Sequence, residues 1–210
     1  MTRIAIADDH ALIRRGLADL LDDLDDFTVV VECGSGDDLL RALRDTRVDV
    51  VVTDMAMPGP TGLDLIKALK AEHPALPVLV LSAHPEDQYA VRVVRAGAMG
   101  YLTKESAEAD LVEAIRRVVA GKRFLSQALA ESLLDALDAG DDAAPHVGLS
   151  DREYQVMRML ASGQTVGDIA DELALSVKTV STYRTRLLQK TGLSNNAEVT
   201  RYALKHGLVE

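Results

Sequence analysis

Tryptophan is absent from the chain and phenylalanine occurs twice, so any core must be built from Leu, Val, Ile and Ala. The single cysteine, Cys33, excludes an internal disulfide and fits a reducing compartment. Placed beside a predicted strand end, it reads as a small buried hydrophobe. No apolar run approaches the ~18 residues needed to cross a bilayer. Asp8 and Asp9 interrupt the apolar stretch that a signal peptide would need. The expectation is a cytoplasmic protein without a membrane partner. A hydrophobic fraction of 48% excludes a disordered chain.

Bases are missing altogether from residues 125–147, which hold five acids. That gap organises the charge. The formal net charge of −10 speaks against a nucleic-acid binder only until it is divided along the chain. Residues 1–124 carry 15 Lys/Arg against 21 Asp/Glu, whereas residues 148–210 carry eight bases against seven acids. Such asymmetry says more about partners than the total does. A length of 210 residues accommodates two ordinary domains.

In residues 1–124 short apolar runs alternate with amphipathic stretches. Strands are predicted at Ile4–Ala7, Thr28–Glu32, Val48–Thr53, Val78–Ser82 and Gly100–Leu102. Between them, Leu12, Ile13, Leu17, Leu20, Leu21 and Leu24 recur at helical spacing, as do Leu63, Ile66 and Leu69, then Leu111, Ile115, Val118 and Val119. Val50-Val51-Val52 lacks polar alternation, as a strand covered on both faces does. Five strands alternating with helices make a doubly wound, five-stranded parallel α/β domain. Residues 125–147 read as a linker containing a short helix at Gln127–Leu137, followed by a flexible acidic stretch. Residues 148–210 read as a small all-α domain. Ser150-x-x-Glu153 is a capping box, Gly163 ends the first helix, Thr165 and Ser176 cap the next two, and Gly192 ends the third. A last helix is predicted over Ala197–His206.

In a parallel doubly wound sheet, the carboxyl ends of the strands meet on one rim, where such folds bind their ligands. Asp8 and Asp9 follow the first strand, Asp54 the third, Ser82 ends the fourth, and Lys104 follows the fifth. Two carboxylates there repel by roughly 4 kcal/mol at 4 Å and an effective dielectric near 20. A cation must compensate them, and carboxylate oxygen, a backbone carbonyl and water suit Mg²⁺. So compensated, Asp54 stays ionised and can attack a phosphoryl group, with Lys104 screening the transferring oxygens.

These residues resemble the receiver domain of bacterial two-component response regulators. The resemblance runs through Asp8-Asp9-His10, Asp54-Met-Ala-Met-Pro58-Gly59, Ser82-Ala83 and Gly100-Tyr101-Leu102-Thr103-Lys104. It implies Mg²⁺ held by Asp8, Asp9, Asp54 and the backbone carbonyl of Ala56, and an aspartyl-phosphate at Asp54. It also implies that the Ser82 hydroxyl is drawn to the phosphoryl group, that Tyr101 changes rotamer as Ser82 moves, and that Lys104 pairs with the phosphoryl oxygens. The positions that tune phosphate lifetime in the family hold Ala56 and His84. An aspartyl-phosphate hydrolase would instead need an acid two residues after its nucleophile, where Ala56 stands, so the protein is expected not to be an enzyme.

The third helix of the C-terminal domain carries Lys178, Arg184, Arg186 and Lys190 and no acid, whereas the second carries Asp168, Asp171 and Glu172. With Val180, Leu187 and Leu188 turned inward, Ser181, Thr182, Thr185 and Gln189 form a surface able to read base edges. Lys178, Thr179, Tyr183, Arg186 and Lys190 become candidates for phosphate contact. This region resembles the LuxR-type helix-turn-helix domain through Leu149-Ser150-Asp151-Arg152-Glu153, Ile169-Ala170-Asp171-Glu172-Leu173, Ser176-Val177-Lys178-Thr179-Val180 and Leu187 to Leu193. Ser181 replaces a frequent Lys, and Thr191 a common Leu, with an expected loss of core packing. Together the two resemblances identify a NarL/FixJ-family transcription regulator. They imply a sensor histidine kinase as phosphodonor, homodimerisation on activation, and double-stranded DNA as the target. A helical domain that docks on a second regulator instead of DNA is the competing output.

Overall fold

The computed structural model describes residues 1–55, 57, 62–82, 88–138, 144–173 and 175–209. It divides into two compact units, Met1–Glu131 and Ser132–Glu210. Ala56, Pro58, Gly59, Ala83 and His84, all named in the motifs above, lie outside the described residues.

The first unit is a five-stranded, all-parallel sheet in the order β2-β1-β3-β4-β5. The strands are β1 (Thr2–Ala7), β2 (Phe27–Cys33), β3 (Val50–Asp54), β4 (Val78–Ser82) and β5 (Gly100–Thr103). They alternate with α1 (Ala11–Asp22), α2 (Gly36–Asp45), α3 (Gly62–Glu72), α4 (Gln88–Arg95) and α5 (Lys104–Val119). The order reverses beside β1, and right-handed crossovers then place α1 and α5 on one face and α2, α3 and α4 on the other. Successive strand residues point to opposite faces. Ile4, Ile6, Val50, Val52, Leu79 and Leu81 therefore meet Leu17, Leu21, Leu111, Ile115 and Val118 in one fully buried layer. The predicted helix around Leu17 forms, but Leu12 is 86% exposed and lies off its core face, and Leu24 falls beyond its end. The third strand starts at Val50 rather than Val48. Ahead of it, the Asp49 carboxylate accepts from the Arg3 N–H at 2.8 Å, and the Asp49 N–H donates to the Arg3 carbonyl.

The edge strand β5 is closed by the chain that follows α5. Tyr101 N–H donates to the Phe124 carbonyl at 3.2 Å and Phe124 N–H to that of Met99 at 2.9 Å. Pairing the outer groups of β5 in this way removes an exposed edge. It also requires a glycine at position 100, where a Cβ would lie 2.5 Å from Leu79 Cδ1 and 3.0 Å from the Phe124 carbonyl oxygen.

Helix α6 (Gln127–Asp138) begins at Ser126, whose hydroxyl accepts from the Leu129 N–H. The second unit then holds a 3-10 turn (Pro145–Gly148) and α7 (Asp151–Ala161), α8 (Val166–Glu172), α9 (Val177–Thr191) and α10 (Asn196–Lys205). Ser150 and Glu153 form the capping box, Thr165 and Asp168 a second, and Ser176 caps α9 through the Thr179 N–H. Gly192 ends α9 in the left-handed region, φ 70°. Tyr154, Val156, Met157, Leu160, Ile169, Ala170, Val180, Leu187, Val199, Ala203 and Leu208 are buried. Thr191 is accommodated in this core because its hydroxyl donates to the Leu187 carbonyl one turn back, at 2.7 Å.

Gly100→Ala is expected to destabilise the first unit by about 1–3 kcal/mol, as overpacking against backbone does. Urea unfolding of the full chain should show a lower midpoint for that unit and an unchanged one for the helical unit.

Candidate functional site

Strand register assembles the rim. Ala7 pairs with Thr53, Asp54 with Leu81, and Ser82 with Thr103. Each next residue toward the carboxyl ends is polar, so Asp8, Asp54, Ser82 and Lys104 line one edge. Asp8, Asp54 and Ser82 are 0%, 3% and 2% exposed, which takes two carboxylates almost wholly out of water. The compensating cation is Lys104. Its ammonium lies 2.8 Å from Asp8 Oδ2 and 2.9 Å from Asp54 Oδ2, bridging the first and third strands from the start of α5. Burial pulls the Lys104 pKa down, but hydrogen bonds and charge from Asp8 and Asp54 outweigh it and leave it raised. The other carboxylate oxygens are aimed by backbone. Asp54 Oδ1 accepts from the Met55 N–H at 2.7 Å, and Asp8 Oδ1 from the His10 N–H at 2.8 Å.

Asp9 stays at the surface beside this pair, together with a residue that received no role from the sequence. His10 Nδ1 lies 2.8 Å from Asp9 Oδ1 and 3.3 Å from Asp8 Oδ1. Donor atoms of Asp8, Asp9, His10 and Asp54 all lie within 4.8 Å of one another, a spacing that one metal ion can span. The carboxylate oxygens are hard ligands suited to a small divalent cation. Arg14, also without a predicted role, donates to the Asp8 carbonyl and ties α1 to the rim. Tyr101, one residue into β5, is 1% exposed and packed inside the sheet edge.

On the second unit, α9 exposes Lys178, Ser181, Thr182, Thr185, Arg186, Gln189 and Lys190, with Thr179 and Tyr183 half-buried. Leu188 is half-buried as well, so Val180 and Leu187 carry the inward face. Thr182 and Thr185 hydroxyls donate to the Lys178 and Ser181 carbonyls, both at 2.9 Å. Their oxygens remain able to accept hydrogen bonds from outside. Two of the basic side chains are engaged within the domain. Arg184 Nε donates to Asn196 Oδ1 at 2.7 Å, and Lys190 Nζ lies 2.6 Å from Glu153 Oε2. Glu153 is 3% exposed and also accepts from the Ser150 N–H at 2.8 Å. Burial pushes its pKa up, but Lys190 and Ser150 overcome this and hold it below the usual carboxylate range.

Comparison with known proteins matches the two units separately and the chain as a whole. Residues 4–116 match the family described as response regulator receiver domain, and residues 147–203 the bacterial regulatory proteins of the luxR family. The response regulator GacA of Pseudomonas viridiflava is 38% identical over 211 residues, covering 100% of this chain and 99% of that protein. The response regulator UvrY of Escherichia coli K12 is 36% identical over 209 residues, covering 99% and 96%. Among solved structures, RcsB of Salmonella enterica serovar Typhimurium, bound to promoter rprA with the phosphomimetic BeF3−, superimposes with a TM-score of 0.68. That pair is 28% identical, with 96% of this chain and 97% of RcsB covered.

A carboxyl held below its ordinary value stabilises the fold above the unfolded pKa, about 4.3, and loses that contribution as pH falls through the folded value. The thermal transition of the helical unit is therefore expected to fall on acidification. Glu153→Gln should flatten that dependence. An equally steep acid limb in the variant would place the sensitive group elsewhere.

Proposed function

The chain belongs to the NarL/FixJ family of two-component response regulators, transcription regulators in which a receiver domain precedes a LuxR-type DNA-binding domain, and we propose that phosphorylation of Asp54 controls its assembly on DNA. The observation that carries this reading is the Lys104 ammonium, set between Asp8 and Asp54 with the second Asp54 oxygen fixed by the Met55 N–H. The ammonium so placed compensates the charge of a carboxylate that is 3% exposed, and the backbone N–H orients it. In the proposed reaction an Asp54 oxygen attacks the phosphorus of a phosphohistidine on a sensor histidine kinase. The P–N bond breaks, the histidine leaves with the electron pair and takes up a proton, and an acyl phosphate forms on Asp54. Lys104 pairs with the new phosphoryl oxygens. Asp8, Asp9, Asp54 and, by the family resemblance, the Ala56 carbonyl would hold Mg²⁺, which would supply further positive charge near those oxygens.

The Ser82 hydroxyl, one strand over, donates to the phosphoryl group, and Tyr101 fills the space behind it. Ser82 and Tyr101 are both buried on the adjacent strands β4 and β5, Ser82 level with Thr103 and Tyr101 two residues before it, an arrangement that supports coupled movement. This biases the receiver toward a form that dimerises, so that two α9 helices reach paired half-sites on double-stranded DNA. Residues 1–124 act as the receiver and 148–210 as the reader, with 125–147 connecting them, in the cytoplasm. Ser181, Thr182, Thr185 and Gln189 face base edges. Lys178, Thr179, Tyr183 and Arg186 meet phosphates, while Lys190, which the sequence groups with them, is matched to Glu153.

With acetyl phosphate and Mg²⁺, the unsubstituted protein should gain phosphate, dimer content and DNA affinity, and Asp54→Ala should gain none of these. An Asp54→Ala protein that responds as fully would overturn the switch. Lys178→Ala should weaken binding to all sequences and lower the salt slope by about one. Thr182→Ala should change which sequences a random pool yields, and an unchanged selection would remove Thr182 from the reading face.

A further inference from the structure

Helix α9 is tethered at two polar points to two different helices. Arg184 reaches the start of α10 through Asn196, and Lys190, in the last turn, reaches α7 through Glu153. The second tether is the unusual one. Glu153 is a carboxylate that is 3% exposed, fastened at the N-terminus of α7 by the Ser150 N–H, and its ion partner lies 37 residues further on. A buried acid needs its cation, because removing one partner strands a charge out of water. The pair therefore holds the end of α9 at one rotational setting relative to α7. Rotation matters for a reading helix. With side-chain tips about 5–6 Å from the axis, a roll of about 20° displaces them by about 2 Å, which exceeds the tolerance of a base-edge hydrogen bond.

We propose that Glu153 is a positioning residue for sequence reading, and that Lys190 serves this internal clamp rather than a DNA phosphate. The inference rests on the reading of α9 as the DNA-facing helix. It separates the two cationic roles by sign. If Lys190 clamps α9, loss of Glu153 loosens the helix and costs sequence preference. If Lys190 binds phosphate, loss of Glu153 frees an ammonium and strengthens binding to any duplex.

The test uses the full chain with acetyl phosphate and Mg²⁺, a duplex selected by the unsubstituted protein from a random pool, and a random-sequence duplex of equal length. Affinities are measured by fluorescence anisotropy over a range of salt. Glu153→Gln and Lys190→Met are each expected to weaken binding to the selected duplex several-fold while leaving the random duplex and the salt slope unchanged. The double variant should be no worse than the weaker single one, as for two residues acting through one interaction. Lys190→Arg should retain most of the preference. Stronger binding of both duplexes by Glu153→Gln, with a salt slope lower by about one in Lys190→Met, would overturn the proposal. So would equal loss on both duplexes in Glu153→Gln, which would mark a general structural role. Lys190→Met leaves a buried carboxylate unpaired, so its helical unit is first checked by thermal unfolding. Should it fail to fold, Glu153→Gln and Lys190→Arg still decide the sign. Lys178→Ala is the separate control: no loss on either duplex would overturn the assignment of α9 itself, whatever the pair does.

Discussion

Two carboxylates cannot be taken out of water side by side unless a cation joins them, and the rim of the sheet is organised around that requirement. Asp8 follows β1 directly and Asp54 ends its neighbour β3, and the parallel register sets them level with each other at near-zero exposure. Lys104 answers from the first residue of α5, so the helix that covers one sheet face also carries the charge that makes the rim tolerable. The same ammonium defines what the site can accept. A group that brought negative charge to Asp54 would keep Lys104 as a partner, and a divalent cation on Asp8 and Asp9 would relieve the lysine of its first task. The resting pair and the proposed phosphorylated state are thus two distributions of the same few charges.

Much of this was legible because both units announce themselves locally. Valine runs such as Val50-Val51-Val52 say that a strand is covered twice, and strand ends followed by Asp, Asp, Ser and Lys say which rim is polar. Capping boxes at Ser150 and Thr165 and the left-handed Gly192 mark helix ends by chemistry confined to four or five residues. What escaped depends on distance in sequence or on small differences of angle. Glu153 reads fully as a cap from its spacing to Ser150, and nothing in that spacing hints at Lys190. His10 sits in the motif but acquires meaning only when the turn after β1 folds its ring against Asp8 and Asp9. Leu12 shares the spacing of Leu17 and Leu21 loosely enough to seem apolar-facing, and the actual helix turns it to solvent.

The helical unit uses buried charge differently from the receiver. On the rim, a lysine stabilises the two carboxylates that the proposed phosphotransfer would use. In the helical unit, a carboxylate with no chemical task is buried at a helix N-terminus, where the macrodipole also favours it, and holds a lysine from the helix that faces outward. An apolar pair at the same place could pack as well and cost less desolvation. What it could not do is fix direction as narrowly, since a 2.6 Å ion pair with a second hydrogen bond to Ser150 tolerates less sliding than a methyl contact.

Reassigning Lys190 also changes the balance of forces on α9. Phosphate contacts supply most of the sequence-independent affinity of a DNA-binding helix. Lys190, though 45% exposed, is paired with Glu153, Arg184 with Asn196, and Ser181 stands in place of a frequent lysine, so among the described residues of α9 Lys178 and Arg186 are the exposed cations with no ion-pair partner shown within the domain. A single copy then has little non-specific grip in a chain whose net charge is −10. Two copies double the phosphate contacts and raise the effective concentration of the second helix once the first is bound. Weak charge on the reader and control at the receiver are therefore complementary. The poorer the grip of one helix, the more completely occupancy follows assembly, and in the proposed switch assembly is what a new charge at Asp54 would govern.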